Sequence, residues 1–559
     1  MKTILKYLGV FLTITLFTQC DSKSAYNSKS LYDYEWGIIP AEGDVKGRHE
    51  NAFIEYKDKF YLIGGRGVNP VNIYDPKTNR WEAKSKTPIE LHHFQAVVYG
   101  DVIYIVGAMT GRYPTELPLE NIYLYYPETD TWEVGDEIPV ERRRGSGGVV
   151  IYDDILYFIA GIEYGHTSGT NAWVDSYNLK TGEWKVLPDA PHIRDHFFAV
   201  EVDGKIYCIG GRNTSYQIPN RQAFFGATIP EVDVYDIKKN EWTTMDEKLP
   251  VGTAAAGVVN MGDKIIYFGG ESRQPRAHSE TQALDLKTGK WEFLAPLAGG
   301  RHGTSAILYD NKIYYAAGSG NMGGGNLTTL QVFADDLNWK PLFNGVDLNG
   351  WSVKSLEDDA NKEFWSVDNG TILCNSMGDS THNYVWLMYD HEFENFELRL
   401  KFQAYEGNPG NSGVQVRSRY NVNEQATGDF WLDGPQVDID PPSQWRTGLI
   451  YDETWEERRW IYPSLENSKI DKSHAPRRVI FDYESGNDVW NDLVILCNGT
   501  NIQTFLNNIP VADFDGEGIL NSTIHAERNV GMKGYIALQL HIYCQLKMRF
   551  KDIYIREFK

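Results

Sequence analysis

The sequence predicts an all-β protein of two domains, a six-bladed β-propeller followed by a β-sandwich. Three observations predict this fold class. A chain of 559 residues is too long for a single hydrophobic core. Its first part repeats a strand pattern about every fifty residues, which is typical of four-stranded propeller blades. Its last part alternates apolar and polar residues and has no helical stretch of any length.

Residues 1–20 predict an export signal. Lys2 and Lys6 precede the apolar run Leu8 to Phe17, which is too short to cross a membrane as a mature helix. The run ends just before Cys20, and this pattern resembles a bacterial lipoprotein signal in which Cys20 is lipidated. We therefore expect a protein of the bacterial cell envelope, lipid-anchored to a membrane and facing the periplasm or the cell surface. An ordinary cleaved signal with an incidental Cys20 is the alternative.

Six repeat units are predicted between residues 38 and 335. In each unit an apolar strand ends in a pair of small residues: Gly64-Gly65, Val106-Gly107, Ala160-Gly161, Gly210-Gly211, Gly269-Gly270 and Ala317-Gly318. In most units an aromatic or apolar residue then precedes a Trp at a fixed spacing: Tyr74 and Trp81, Tyr125 and Trp132, Tyr177 and Trp184, Tyr235 and Trp242, Leu284 and Trp291. This pattern resembles the Kelch repeat, in which each blade buries its faces only against its neighbours.

The ends of the propeller must meet. We expect residues 21–37 to form a tether followed by a strand, Tyr34 to Trp36, that completes the sixth blade. Such closure would remove the exposed strand edges that an open array leaves.

Basic residues recur where the chain enters the innermost strand of most units. They are Arg48, His49, His93, Arg143, Arg194, His196, Arg301 and His302. Converging on one face, these groups are predicted to form a cationic funnel suited to a carboxylate or a hydroxyl-rich sugar. The alternative is structural, because Kelch repeats commonly carry Arg here to bond neighbouring carbonyl groups.

Residues 336–559 predict a β-sandwich of the concanavalin or jelly-roll type. The segment Phe396 to Phe402 alternates cleanly, and so does Val414 to Arg417. Seven segments together resemble the 3-keto-disaccharide hydrolase family: Leu342 to Gly345, Leu348 to Trp351, Asn411 to Arg417, Gly448 to Tyr451, Trp490-Asn491, Leu538 to His541 and Phe550 to Ile553. The resemblance covers nearly all of residues 340–559.

The resemblance implies cleavage of glycosidic bonds in 3-keto-disaccharides or 3-keto-glycosides. A ketone at C3 acidifies the hydrogen on C2, so a base can remove that proton and the group on C1 can leave by elimination. Such an enzyme needs a base, a stabiliser for the enolate oxygen and an acid near the leaving group. Direct hydrolysis by two carboxylates stays open as a second route.

Candidate catalytic residues gather in the second domain. Asp438 or Glu453 could be the base, Arg417 or His541 could hold the oxyanion, and Tyr451 could deliver a proton or orient the sugar. The acidic motif Gly434 to Asp440 departs from the commoner Glu-x-Gln form of the family. Each residue also has a structural interpretation, such as Asp438 capping a turn or Arg417 pairing with a strand neighbour. For substrate binding the candidates are Asn411, Gln539, Trp431, Trp445 and Arg459, because flat rings beside charged groups suit sugars.

Composition limits the remaining classes. A net charge of −22 argues against general nucleic-acid binding. No nucleotide, flavin or haem motif is found and no cofactor is predicted, although Asp438 and Asp440 leave a site for calcium or another divalent cation open. Oligomeric state is not indicated. Three hypotheses follow: an enzyme acting on keto-glycosides with the propeller as a glycan-binding or partner module, a non-catalytic glycan-binding lipoprotein, and a sugar-acid epimerase or mutarotase in the propeller.

Overall fold

The computed structural model describes residues 30–423, 429–463, 469–474 and 481–558. Within these ranges the protein is almost entirely β-sheet, which confirms the predicted fold class. The helical segments are the α-helix Thr523–Arg528 and the 3₁₀ turns Leu31–Asp33, Val140–Arg142, Ala223–Gly226, Glu357–Asp359, Pro441–Arg446 and Lys472–His474. No helix in these ranges is long and apolar enough to cross a membrane. The predicted signal over residues 1–20, with Cys20, lies outside the described residues.

Six four-stranded antiparallel sheets form the propeller. The chain enters it through strand β1, Glu35–Ile39, and then builds one blade after another. The strands are Asn51–Tyr56, Lys59–Gly64, Pro70–Asp75 and Arg80–Lys86 (β2–β5); Ala96–Tyr99, Val102–Ile105, Asn121–Tyr126 and Thr131–Glu137 (β6, β7, β10, β11), with the small hairpin Met109–Thr110 and Leu117–Pro118 (β8, β9); Gly148–Tyr152, Ile155–Tyr164, Ser168–Asn178 and Trp184–Leu187 (β12–β15); Ala199–Val202, Lys205–Cys208, Asp233–Asp236 and Glu241–Thr244 (β16–β19); Gly257–Met261, Lys264–Phe268, Thr281–Asp285 and Trp291–Leu294 (β20–β23); and Ala306–Tyr309, Lys312–Ala316 and Leu330–Ala334 (β24–β26).

The sixth blade takes its outermost strand from the start of the chain. Strand β1 pairs antiparallel with β26, and Trp36 lies opposite Phe333. The Trp36 ring is fully buried, and its Nε1 donates to Thr281 Oγ1 at 3.0 Å. Because β1 is donated from the other end of the repeat, the first and last blades are held in one closed ring.

Two packed sheets form the C-terminal domain. The first contains Lys340–Pro341 (β27), Trp365–Asp368 (β29), Thr371–Asn375 (β30), Phe396–Tyr405 (β32), Tyr483–Glu484 (β38), Asn491–Asn498 (β39), Asn501–Leu506 (β40), Ile509–Asp515 (β41) and Lys547–Glu557 (β43). The second contains Trp351–Lys354 (β28), Val385–Phe393 (β31), Ser412–Asn423 (β33), Asp429–Asp433 (β34), Pro435–Ile439 (β35), Ile450–Asp452 (β36), Arg459–Tyr462 (β37) and Gly534–Leu540 (β42).

The core of the sandwich lies between these sheets and follows the alternation read in the sequence. Leu398 and Phe402 of the first sheet pack in one cluster with Val414, Val437 and Leu538 of the second. Since strand side chains alternate between faces, the intervening residues of the second sheet point away from this core. That outer face carries the polar groups described below.

A buried ion pair links the two domains. The Glu397 carboxylate is fully buried, accepts the backbone N–H of Ile38 in β1 at 3.0 Å, and accepts Arg556 Nε at 2.8 Å. Arg556 in turn donates to the carbonyl of Ile38. Val494 and Leu496 of the sandwich share an apolar cluster with Trp36 and neighbouring propeller residues. The strand that closes the propeller is therefore also the strand on which the sandwich rests.

Candidate functional sites

The outer face of the second sandwich sheet gathers carboxylate and amide side chains. Gln436 lies opposite both Gln415 and Tyr451 in the strand register, and Asp438 lies opposite Gly413. A Cβ on Gly413 would come within 2.5 Å of the Gln436 amide, so a larger residue would displace it. Gln539 on β42 donates to Glu453 Oε1 at 3.3 Å. Three of the sequence candidates, Asp438, Glu453 and Gln539, thus share one face.

Two carboxyl groups on this face hold protons more tightly than usual. Burial raises the pKa of Glu453 to about 7, partly opposed by Arg458. Burial, and then the charge of Asp440, raises the pKa of Asp438 well above its ordinary value. The ion pair of Arg446 with Asp440, at 3.3 Å, lies beside them. Near neutral pH, Glu453 is therefore poised to exchange a proton, and Asp438 holds its proton more tightly than a solvated carboxyl group does.

A tyrosine and a histidine form a hydrogen-bonded pair at the same face. His541 Nδ1 lies 3.1 Å from the carbonyl of Ile542, which can only accept, so this nitrogen carries the proton. His541 Nε2 then accepts the hydroxyl of Tyr384 at 3.1 Å. Burial lowers the pKa of His541 and raises that of Tyr384, which Glu453 raises further. The pair is neutral, and the Tyr384 hydroxyl keeps its proton.

Aromatic rings enclose this group. Trp431 donates its Nε1 to the backbone carbonyl of Glu453 at 2.7 Å and packs edge-on against Tyr384. The Arg458 guanidinium lies over the rings of Trp431 and Trp455, at 4.8 and 5.0 Å from their centroids. Burial raises the pKa of Tyr451 to about 12, with Glu453 as the next cause. A flat apolar wall beside charged groups is what a sugar ring requires.

Other predicted residues of the sandwich occupy different places. Arg417 is fully buried, and its guanidinium donates to the carbonyls of Glu394, Gly499 and Gly531 and to Asn395 Oδ1. None of these partners belongs to the outer-face group, so the structural interpretation accounts for this arginine. Trp445 packs beneath Arg446, and Arg459 pairs with Glu457 at 3.0 Å. The Asn411 amide oxygen is buried without a partner among the described residues.

Sequence reasoning missed Tyr384 and Gln415. Tyr384 precedes its strand and belongs to no motif of the resembled family. The pattern of alternation could have placed Gln415 on the outer face, because it lies between the core residues Val414 and Val416.

The predicted propeller arginines do not line a funnel. Arg48, Arg194 and Arg301 are buried, and each donates to backbone carbonyls of its own blade; Arg194, for example, bonds Cys208, Gly210 and Glu231. In the third blade Arg144 occupies this position, while the predicted Arg143 lies outside it and pairs with Glu120 and Glu137. The structural alternative accounts for these arginines, because a guanidinium satisfies several carbonyls at once.

A closed ring of backbone hydrogen bonds surrounds the channel. One residue of each blade donates its N–H to the carbonyl of the equivalent residue in the preceding blade, at 2.6–2.9 Å. The six residues are Glu50, His93, Ser146, His196, Ala255 and Gly303, and all have positive φ. A non-glycine residue in this conformation costs about 1–2 kcal/mol. Five blades nevertheless keep a side chain at this position.

The side chains of this ring bring histidines together at the channel axis. The rings of His93 and His196 lie 4.8 Å apart, and His166, from the turn between β13 and β14, lies 5.2 and 4.9 Å from them. Glu50 contacts His93. Burial lowers the pKa of His93 and of His196. Burial also acts to raise the pKa of Glu50, but the charges of Arg66 and the histidines outweigh it, so the pKa of Glu50 is lowered overall. The sequence pointed to His93 and His196 but missed His166, which has no place in the repeat, and Glu50.

A cavity of about 400 Å³ opens above this cluster. Among its lining residues are Glu50, His166 and the predicted His49, together with Arg212 and the Phe224 and Phe225 rings. Below the ring the channel narrows to a space of about 20 Å³. His302, the last predicted funnel residue, is buried and bonds the carbonyls of Asn321 and Gly323 through Nε2.

Comparison with known proteins divides the chain in the same way. Residues 338–556 match a family described as a 3-keto-alpha-glucoside-1,2-lyase-like domain, and residues 19–255 match one described as an Attractin/LZTR1 beta-propeller. Kelch-like protein terF from Aspergillus terreus is 28% identical over 54% of this chain and 68% of its own length. Kelch-like protein 38 from Rattus norvegicus is 26% identical over 50% of this chain, which spans 45% of that protein. The solved structure titled "Structure of YjhT" is 15% identical with a TM-score of 0.45, over 52% of this chain and 95% of its own.

These matches confirm both resemblances. The chain joins a Kelch-type β-propeller to a domain that matches the 3-keto-disaccharide hydrolase family, and that match supports a carbohydrate-related role.

Proposed function

We propose that the sandwich domain cleaves the glycosidic bond of a 3-keto-glycoside by elimination, with Glu453 as the base. The observation that carries this proposal is a buried carboxyl group with a pKa of about 7, on the same outer face as the proton-holding Asp438 and the Tyr384–His541 pair. A base acts best when its pKa is close to the working pH, because it is then both ionised and basic enough.

The reaction would proceed in balanced proton steps. Glu453 takes the C2 proton, and the electrons of that C–H bond form an enolate with the C3 oxygen, to which protonated Asp438 donates a hydrogen bond. The electrons then form the C1–C2 double bond while the C1–O bond breaks, and the leaving oxygen takes the proton of Tyr384. Addition of water to C1 and C2 returns one proton from Glu453 to C2 and one proton from water to Tyr384, which restores both groups.

The remaining residues bind and orient in this scheme. His541 accepts the Tyr384 hydroxyl and so fixes its direction. Trp431 is buried beneath Arg458 and holds that guanidinium in place, so Arg458 would meet the sugar, and Tyr451 and Gln539 flank Glu453. A carbohydrate is thus the proposed partner. We also propose that a lipid on Cys20 anchors the protein in the cell envelope, and incorporation of a radiolabelled fatty acid would test this.

The test compares oxidised and unoxidised sugars. The purified protein is incubated with 3-keto-lactose or 3-keto-trehalose beside lactose or trehalose, and products are followed by mass spectrometry in D₂O. We expect hexose release from the keto sugars alone, with deuterium at C2 of the released keto-hexose.

Glu453→Gln should lower turnover by about 100-fold or more, since it removes the base. Glu456→Gln is the matched control, because that carboxylate lies in the same loop but is exposed and faces Arg528 at 3.4 Å. Equal turnover by Glu453→Gln and the control would refute the assignment. Sugar binding without turnover of either form would instead favour a glycan-binding protein.

A further inference from the structure

The ring nitrogens at the propeller centre have assigned protons. His196 Nδ1 lies 2.6 Å from the Asp195 carboxylate, and His166 Nδ1 lies 3.1 Å from that of Glu116, so both Nδ1 atoms donate. His92 Nε2 lies 3.2 Å from the carbonyl of Gly111 and donates to it, which leaves His92 Nδ1 to accept His93 Nδ1–H at 2.6 Å. Because Nδ1 donates in His93, His166 and His196, Nε2 is the nitrogen of each ring that is left to bind a further partner.

These lone pairs converge on a carboxylate. The ligand atoms of His93, His166 and His196 all lie within 4.8 Å of one another, and a second group of the same kind joins Glu50 to His92 and His93, so His93 is common to both. Each of the four residues is more than nine-tenths buried. His93 Nε2, His196 Nε2 and Glu50 Oε2 have no hydrogen-bond donor among the described residues. Buried acceptors left facing one another are costly unless a cation or a proton lies between them.

The partners of the other ring nitrogens are those of a metal site. Metal-bound histidines usually donate their second N–H to a carboxylate or another acceptor, which fixes the ring orientation. Here Asp195 and Glu116 serve two rings and His92 the third.

From these observations we propose that the centre of the propeller binds one divalent transition-metal ion through His93, His166, His196 and Glu50. Imidazole with one carboxylate suits zinc, iron, nickel or copper better than calcium or magnesium, which prefer all-oxygen sets. Glu50 and His166 also line the cavity of about 400 Å³, so one side of the site faces an open space from which water or a small oxygen ligand can reach it. The site is separate from the proposed reaction in the sandwich.

Metal content tests the proposal directly. The full chain is purified without an affinity tag, and a chelator removes any bound metal. It is then dialysed against Zn²⁺ or Co²⁺, and its metal content is measured by elemental mass spectrometry. We expect one ion per chain and, with Co²⁺, visible absorption from the bound metal. His93→Gln should bind more than tenfold more weakly. His192→Gln is the matched control, since His192 lies in the fourth blade but pairs with Asp233 away from the cluster.

A second variant covers the case in which His93→Gln does not fold. Asp195→Asn keeps the shape of the side chain but weakens the orientation of His196, and we expect a loss of about 10–100-fold in metal affinity. Circular dichroism verifies the fold of each variant. Absence of bound Zn²⁺ and Co²⁺ in the parent chain would overturn the proposal. So would equal binding by folded His93→Gln or Asp195→Asn, or binding of Ca²⁺ alone.

Discussion

The buried Glu453 should destabilise the protein at alkaline pH, and Glu453→Gln should remove that cost. Its pKa rises from an ordinary value of 4.5 to about 7 on folding, so the folded state binds more protons than the unfolded state between these values. Stability therefore falls as pH rises through this window and levels off above pH 7. A shift of about 2.5 pH units at about 1.4 kcal/mol each sets the cost near 3 kcal/mol at pH 8.

Thermal unfolding at pH 5 and pH 8 measures this effect. A change of 1 kcal/mol shifts the midpoint by about 2–4 °C in a domain of this size. The midpoint of Glu453→Gln minus that of the parent chain should therefore be about 6–12 °C larger at pH 8 than at pH 5. Glu456→Gln should follow the parent at both values, because its carboxylate is exposed. Parallel pH dependence in the parent and Glu453→Gln would refute the claim that Glu453 is buried with a raised pKa.

Three further predictions concern catalysis and assembly. The kcat/KM for a 3-keto-glycoside should rise with pH to a plateau, with a midpoint near 7 set by Glu453, and a profile flat from pH 5 to 9 would contradict the role of this base. Tyr384→Phe should lower kcat about 100-fold with little change in KM in steady-state assays, because it removes the acid but keeps the ring; a change in KM alone would make Tyr384 a binding residue. Glu397→Ala should cost about 3–5 kcal/mol by leaving Arg556 buried without its partner, whereas Glu392→Ala, at a half-buried pair, should cost less than about 1 kcal/mol; equal thermal midpoints of the two variants would refute this.

The fold was predictable because its signals are local and repeated. Each blade carries its own small pair and its own Trp, and strands of the sandwich such as Phe396–Tyr405 alternate apolar and polar residues. Asp438, Glu453 and Gln539 were selected because ionisable and amide residues gather in and near the segments that resemble the family, and the structure brings the three to one face. Tyr384 could not be selected in this way, because its partner His541 is far away in sequence and only the pairing of β31 with β42 brings the two strands together.

The propeller centre shows why residue type alone misplaces a site. Arginine and histidine both read as cations at the start of the inner strand, yet in triplets such as Arg194-Asp195-His196 the first residue enters the blade and the third reaches the channel. A cationic funnel would need the first and the third residue of the triplet to point into the channel. The backbone turn at the third residue, which has positive φ, prevents this. The informative position is the third one, where Glu50, His93 and His196 replace the small residues that this conformation favours. A side chain kept where glycine would be easier indicates a function, and metal binding is the function that its converging lone pairs support.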